Sequence, residues 1–245
     1  MPRDRKLTLA TRAIRALPAA SLGCGMLLAL TLVGGRAGAV TPLAPPRRLP
    51  APLVDEPRSA GLQTAVLSGG CFWGVQGVFE HVRGVRRVEA GYAGGAAGAA
   101  SYELVSTGAT GHAESVRISF DPSEISYGQI LRIFLSVATD PTQVGGQYPD
   151  QGSQYRGEIW YLNGAQRQVA TRYIAQLNAA HAFRRPIAMR VDPFRGFFRA
   201  EPYHQDYLER HPDQPYIAAY DIPKVRALHA LFPADWQVAA VLARG

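Results

Sequence analysis

Two glycines, Gly69 and Gly70, constrain the fold of this chain more than any other feature. They follow a short apolar segment, residues 64–68, that favours a strand, and apolar residues then recur at helical spacing from Phe72 to Val82. Because glycine permits a sharp turn and a close approach of backbones, this region is predicted to fold as a strand, a tight turn and a helix.

Further strand and helix signals alternate along the chain. Residues 112–121 show a period-2 alternation that puts Glu114 on the same face as the apolar residues of that strand. Ser126 and Asn163 each precede an apolar stripe at helical spacing and are predicted N-caps. Strands and helices mixed in this way predict a single domain of the α/β (α+β) class, with helices packed on a mixed β-sheet.

The first 39 residues carry most of the net charge of +7, with six basic residues and one acidic residue. From residue 40 onward, 20 basic residues accompany 18 acidic ones, without a basic block that could bind nucleic acid. A basic start, an apolar run from Leu27 to Val33 and the small residues at 37–39 are typical of a secretory signal peptide. We therefore expect cleavage near Ala39 and an exported protein, periplasmic or secreted, without stable membrane association.

Two alternatives stay open for residues 1–39. One is a membrane anchor, although the apolar run is shorter than the roughly 20 residues of a span; the other is a lipoprotein attached through Cys24. Six prolines make residues 40–62 a predicted linker. The folded domain is expected over residues 63–223, followed by an irregular tail over residues 224–245.

Cys71 is the candidate nucleophile. It lies where unpaired N–H groups and the dipole of the predicted helix would lower the pKa of its thiol; the alternative is a small, buried and unreactive side chain. Phe72 and Trp73 beside it could line an apolar pocket for a methyl group, or form ordinary core.

Glu114 is the candidate acid. Its alignment with apolar side chains predicts desolvation and a raised pKa, unless the side chain reaches solvent. His112 and Glu114 match half of a zinc-deaminase signature, but the cysteine half is missing from the sequence. No metal site is therefore predicted.

Short motifs occur in order along the chain: Gly-Cys-Phe-Trp-Gly at 70–74, Gly-Tyr-Ala-Gly-Gly at 91–95, Tyr-Glu at 102–103, Gly-His-Ala-Glu at 111–114, Asp-Pro-Thr-Gln at 140–143, Gln-Gly-Ser-Gln-Tyr-Arg at 151–156, and Ala-Glu with Tyr-His-Gln at 200–205. In sequence and spacing they resemble the type A peptide methionine sulfoxide reductases. The resemblance covers about residues 63–223 and implies a single-domain, two-layer sandwich around a mixed β-sheet, with a ferredoxin-like arrangement.

The resemblance also implies roles for individual residues. The catalytic roles fall on Cys71, Glu114, Tyr102, Tyr155 and Asp150, and the substrate-binding roles on Phe72, Trp73 and Gly70. The thiol would attack the sulfoxide sulfur, the carboxyl and phenol groups would hydrogen-bond the sulfoxide oxygen, and the aromatic rings would hold the methyl group. The implied function is reduction of methionine S-sulfoxide, protein-bound and free, through a sulfenic acid on the cysteine, for the repair of oxidised exported proteins.

The chain departs from the family pattern in its tail. Residues 211–217 contain no recycling cysteine, and Ser106 stands where some members have another cysteine. Since Cys71 is the only cysteine after Cys24, an external reductant, thioredoxin or a low-molecular-weight thiol, would have to regenerate it. No metal or organic cofactor is expected, and the protein is expected to be a monomer.

Two other functions stay open from the residues alone. A cysteine hydrolase or acyltransferase would need a base beside the thiol, for which His112 or His204 is available. A binding module would use Phe72, Trp73 and the tyrosines as an aromatic cage. Hydrolysis consumes no reductant, and a cage would still bind its ligand after Cys71→Ser, so experiment separates both from a reductase.

Overall fold

Gly69 ends a strand and a helix begins at Phe72 in the computed structural model, which describes residues 44–57 and 60–243. Within those residues the strands are β1 (Gln63–Gly69), β2 (Val85–Ala93), β3 (Ala113–Phe120), β4 (Gly146–Gln147), β5 (Asp150–Gln151), β6 (Gly157–Tyr161), β7 (Arg190–Pro193) and β8 (Phe197–Arg199). The helices are α1 (Phe72–Glu80), α2 (Tyr102–Val105), α3 (Tyr127–Ile133), α4 (Gly164–Ala179), α5 (Tyr207–Arg210) and α6 (Ile222–Leu231). Phe134–Ala138 and Ile217–Asp221 are π-helical turns, and Ala97–Ala99, Ser153–Tyr155 and Pro202–His204 are 3₁₀ turns.

A six-stranded sheet has the order β7-β6-β1-β3-β2-β8. Its four middle strands pair antiparallel, whereas β7 is parallel to β6, so the sheet is mixed. Numbered by their order in the chain, the middle strands lie fourth, first, third and second across the sheet, which is the ferredoxin-like arrangement. The predicted fold class is confirmed.

Helices cover one face of this sheet. Helix α1 packs on β2 and β3, α4 packs on β6 and β7, and α3 packs on α4. The main apolar core lies between the two layers and contains Phe72, Phe79 and Phe134, all almost fully buried. A smaller cluster around Trp160 and Val66 lies apart from that core.

Strand β3 brings Glu114 to the face that carries the main core. Val116 and Ile118 of the same alternation belong to this core, and Glu114 is only 3% exposed. Val116 pairs with Leu67 near the end of β1, just before the turn that leads to Cys71. The register of β1 and β3 therefore brings the predicted acid and the predicted nucleophile to the same end of the sheet.

The segment before β1 differs from the predicted linker. Residues 44–57, here called the N-terminal strap, contain no helix or strand, yet Leu49 is only 2% exposed. The strap binds the domain through hydrogen bonds, among them Arg47 N–H to the Ser136 carbonyl (3.2 Å) and Tyr173 O–H to the Pro50 carbonyl (2.8 Å). Proline removes N–H donors but leaves carbonyls and apolar surface available for packing. The strap is therefore part of the folded domain.

The predicted boundary at residue 223 is also wrong, because α6 runs through it. Val225, Leu228 and Phe232 are buried, and α6 packs against α1. Their spacing of three and four residues is a helical stripe that was present in the sequence. The tail contributes core at least as far as Phe232.

The predicted signal peptide of residues 1–39, its cleavage site and Cys24 lie outside the described residues. Within residues 44–57 and 60–243, no helix combines the length and the apolar character that a membrane span requires.

Candidate active site

Cys71 is the N-cap residue of α1 and is 8% exposed. The turn before it requires glycine, because Gly70 has a φ of +94° and a Cβ there would lie 2.6 Å from the Cβ of Gln147. Gly70, for which a substrate-binding role was predicted, therefore forms the turn that positions the Cys71 thiol. Gly70 thus shapes the site through its backbone.

Glu114 contacts the first residue of the same helix. Its Oε2 accepts a hydrogen bond of 2.9 Å from the Phe72 N–H. Burial raises the pKa of Glu114 to about 8; the Phe72 hydrogen bond opposes this, and the charges of Asp150 and Asp221 add to it. The carboxyl group is consequently protonated at neutral pH, in line with the raised pKa expected from the strand pattern.

The thiol differs from the sequence expectation. Burial raises the pKa of Cys71 well above its usual value of 9.0, and the charges of Glu114, Asp221 and Asp150 raise it further. The Trp73 backbone N–H at the start of α1 lowers the pKa, as predicted for a helix N-terminus, but it does not outweigh burial. The resting side chain is therefore a neutral thiol, and the predicted lowering of its pKa is wrong.

The other predicted polar residues lie in the same electrostatic environment. Burial raises the pKa of Tyr155, and the charges of Glu114, Asp150 and Cys71 raise it further. Burial and Glu114 raise the pKa of Tyr102. Both phenols therefore remain protonated and can donate hydrogen bonds. Asp150, whose pKa is raised by burial, accepts a hydrogen bond from the Tyr216 hydroxyl.

Two aromatic residues follow the cysteine, with different degrees of exposure. Phe72 is 1% exposed, so most of its ring is core. Trp73 is half-buried and stacks on Tyr207 with ring centroids 3.9 Å apart and an angle of 11°. The Trp73 indole N–H donates to Nδ1 of His204 at 3.1 Å. The indole is thus held in one orientation and can present an apolar wall.

Three residues of the C-terminal part escaped the sequence analysis. Tyr216 binds Asp150, and Asp221 forms an ion pair of 3.1 Å with Lys224. Asp221 is fully buried, and a Cβ added at Gly74 would lie 2.0 Å from its Oδ1. The sequence did contain a signal for Lys224, because it is the only lysine after Lys6 in a chain whose other basic residues are arginines and histidines.

The two histidines available to a hydrolase are bound elsewhere. His204 accepts the Trp73 hydrogen bond through Nδ1, and burial lowers its pKa. His112 accepts from the Gly95 N–H and lies 3.0 Å from the Ala96 carbonyl through Nε2. Among the described residues, neither ring has a hydrogen bond to Cys71, which disfavours a cysteine–histidine pair. The same residues contain no cluster of three or more histidine, cysteine or acidic side chains able to hold a metal.

Comparison with known proteins identifies the chain's relatives. Residues 63–234 match the family model described as peptide methionine sulfoxide reductase. The peptide methionine sulfoxide reductase MsrA 2 of Mesorhizobium japonicum is 50% identical over 189 residues, which are 77% of this chain and 97% of that protein. The protein of the same name from Synechocystis sp. is 48% identical over 73% of this chain and 85% of its own length.

Solved structures are similar as well. Reduced Mxr1 from Saccharomyces cerevisiae matches with a TM-score of 0.58 at 26% identity, covering 66% of this chain and 92% of that one. Methionine sulfoxide reductase A of Corynebacterium diphtheriae matches with a TM-score of 0.52 at 28% identity, covering 68% of this chain and 92% of that one.

Proposed function

The chain belongs to the peptide methionine sulfoxide reductase family as a type A member, and from this premise we propose that Cys71 is its nucleophile and Glu114 its acid. Members of this type are peptide-methionine (S)-S-oxide reductases, and so is this enzyme. The observation that supports the assignment is the 2.9 Å hydrogen bond from the Phe72 N–H to Glu114, which joins the acid to the residue after the cysteine.

The first step follows from the protonation states. A sulfoxide oxygen is a poor leaving group until it is protonated, and Glu114 holds a proton at neutral pH. As the Cys71 sulfur attacks the sulfoxide sulfur, Glu114 gives its proton to the oxygen and the thiol proton replaces it. Tyr102 and Tyr155 donate hydrogen bonds to the same oxygen. In balance, the oxygen passes from methionine to Cys71, which becomes a sulfenic acid while methionine is reduced by two electrons.

The second step uses an external thiol. Cys71 is the only free cysteine among the described residues, and Cys24 belongs to the predicted signal peptide. One thiol displaces water from the sulfenic acid to form a mixed disulfide, and a second thiol releases Cys71 and leaves as a disulfide. The reductant is a low-molecular-weight thiol or a thioredoxin-like protein.

The substrates are methionine sulfoxides in oxidised exported proteins, with free methionine sulfoxide as a smaller substrate. The support for export is the basic and apolar pattern of residues 1–39. The mature protein would begin at Val40 and act as a monomer in the periplasm or outside the cell. The intact mass of protein from its native host tests this, since a retained or lipid-modified N-terminus contradicts it.

The deciding experiment follows methionine release from the S and R sulfoxides, with and without dithiothreitol. Without reductant, the wild type should release about one methionine per chain from the S epimer and stop, with a sulfenic acid trapped on Cys71 by a dimedone probe. Cys71→Ser should release none. Release of two methionines per chain without reductant would require a second redox-active residue, and turnover of an ester or amide without reductant would favour the hydrolase.

A further inference from the structure

A cavity of about 350 Å³ lies beside the candidate active site. We call it the side cavity. Its walls include Pro46 of the strap, Val137 and Ala138 of the first π-helical turn, Tyr148, and Ala219 and Tyr220 of the second π-helical turn. The walls therefore come from four separate segments of the chain.

A line of aromatic rings connects this cavity to the candidate active site. Trp73 lies edge-on to Tyr216 with ring centroids 6.2 Å apart, Tyr216 lies 5.1 Å from Tyr220, and Tyr220 lies 5.9 Å from Tyr148. Tyr220 and Tyr148 belong to the side cavity, so the apolar surface continues from the indole to it. An extended polypeptide advances about 3.3–3.5 Å per residue, so this path spans roughly three to five residues.

The polar groups at the walls already have partners. Asp140 accepts hydrogen bonds from the Thr142 and Ala44 N–H groups, and Lys224 is paired with Asp221. The Thr139 hydroxyl is the exception: it is buried and has no hydrogen-bond partner among the described residues. What remains for a ligand is an apolar space, and such a space takes an apolar side chain.

We propose that the side cavity binds a large apolar side chain that lies three to five positions from the oxidised methionine in a polypeptide substrate. The proposal rests on the proposed function, because it assumes that the sulfoxide is held beside Trp73 and Cys71. It gives the enzyme a preference for oxidised methionines in apolar sequence, such as core segments exposed by unfolding. Free methionine sulfoxide has no flanking side chain and would gain no binding energy from the side cavity.

The test is a positional scan with dithiothreitol as reductant. Eleven-residue peptides carry methionine S-sulfoxide in the centre and serine elsewhere, with one leucine moved through the five flanking positions on each side. For the wild type, kcat/KM should rise about tenfold over the all-serine peptide at one or two adjacent positions on one side. Failure to reduce any sulfoxide contradicts the proposed function; reduction without a leucine preference overturns the side cavity alone.

Neighbouring alanines provide the matched variants. Both Ala218 and Ala219 of the second π-helical turn are exposed, but only Ala219 lines the side cavity. Ala219→Trp fills the side cavity and should abolish the leucine preference, whereas Ala218→Trp should retain it. Dividing each kcat/KM for a peptide by that of the same variant for N-acetylmethionine sulfoxide corrects for any loss of activity that does not involve the side cavity. Ala219→Asp, with Ala218→Asp as control, tests the same point with a smaller side chain. Retention of the preference in both Ala219 variants overturns the proposal, as does an effect of Ala219→Trp confined to the KM for a thioredoxin reductant.

Discussion

The Phe72 backbone N–H donates a 2.9 Å hydrogen bond to Oε2 of Glu114, across 42 residues of sequence. The bond connects the first turn of α1 with strand β3, so the helix that begins after Cys71 and the buried acid are held together. Loss of the carboxyl group therefore removes both a proton donor and a contact that fixes the start of the helix.

Glu114→Ala should lower kcat by about 10²–10⁴-fold, the usual effect of losing a general acid. Glu114→Gln can still accept from Phe72 and donate one hydrogen bond, but it cannot release a proton, so its loss should be smaller. Single-turnover methionine release measures the first step without the reductant. Near wild-type release by Glu114→Ala would show that the acid has been assigned wrongly.

The buried acid should also make stability depend on pH. The pKa of Glu114 rises from 4.5 to about 8 on folding, so between these values the folded state holds a proton that the unfolded state lacks. The free energy of unfolding should therefore fall as pH rises through this window, by roughly 4 kcal/mol relative to Glu114→Gln. Urea unfolding of both proteins at pH 5, 7 and 9 measures it; parallel pH dependences would contradict the raised pKa.

The neutral thiol predicts slow alkylation. Because burial and nearby carboxyls raise the pKa of Cys71, little thiolate is present at pH 8. Iodoacetamide should modify Cys71 in the native protein at least about tenfold more slowly than in the urea-unfolded protein. Mass spectrometry of the peptide that contains Cys71 follows the reaction separately from Cys24. Rapid native labelling would indicate a thiolate instead.

Replacing Gly74 or Gly164 with alanine distinguishes the effect of steric crowding on stability from the effect of helix propensity. Gly74 in α1 would place a Cβ 2.0 Å from Asp221 Oδ1, whereas a Cβ on Gly164 in α4 has no neighbour within 4 Å. Gly74→Ala should destabilise the protein and disturb the Asp221–Lys224 pair, despite alanine's higher helix propensity. Gly164→Ala should be neutral or stabilising by up to about 1 kcal/mol. Thermal unfolding of the two variants gives the comparison, and equal effects would contradict the packing of Asp221 on α1.

The strap can be tested with two leucines. Leu49 is 2% exposed and Leu53 is 85% exposed. Leu49→Ala should reduce the free energy of unfolding by about 2–4 kcal/mol, because it leaves a cavity, and Leu53→Ala should change it by less than about 0.5 kcal/mol. Denaturant unfolding measures both. If the two variants behave alike, the strap is a linker, as the sequence predicted.

Local patterns in the sequence predicted the elements that depend on near neighbours. Ser126 and Asn163 do cap their helices, accepting hydrogen bonds of 3.1 and 2.8 Å from the N–H groups of Gln129 and Gln166. The alternation in β3 was enough to predict that Glu114 is buried.

The pKa of the thiol could not be predicted in this way. Burial and the charges of Glu114, Asp221 and Asp150 raise the pKa of Cys71, and all of these carboxyl groups lie far away in sequence and reach the thiol only in the folded domain. The Trp73 N–H at the start of α1 lowers the pKa of the thiol, as its helix position predicts, but burial raises the pKa by more. The strap was missed for a related reason, because proline content reports backbone freedom and says little about where an apolar side chain such as Leu49 will pack.

The strap also has a consequence for the order of folding. Its partners come much later in the chain: Leu49 binds Arg132 at a separation of 83 residues, and Ala51 binds Gln176 at a separation of 125. During synthesis the strap therefore emerges long before α3 and α4 exist to receive it, and such distant contacts form slowly. The first described segment of the chain is thus expected to be among the last to dock.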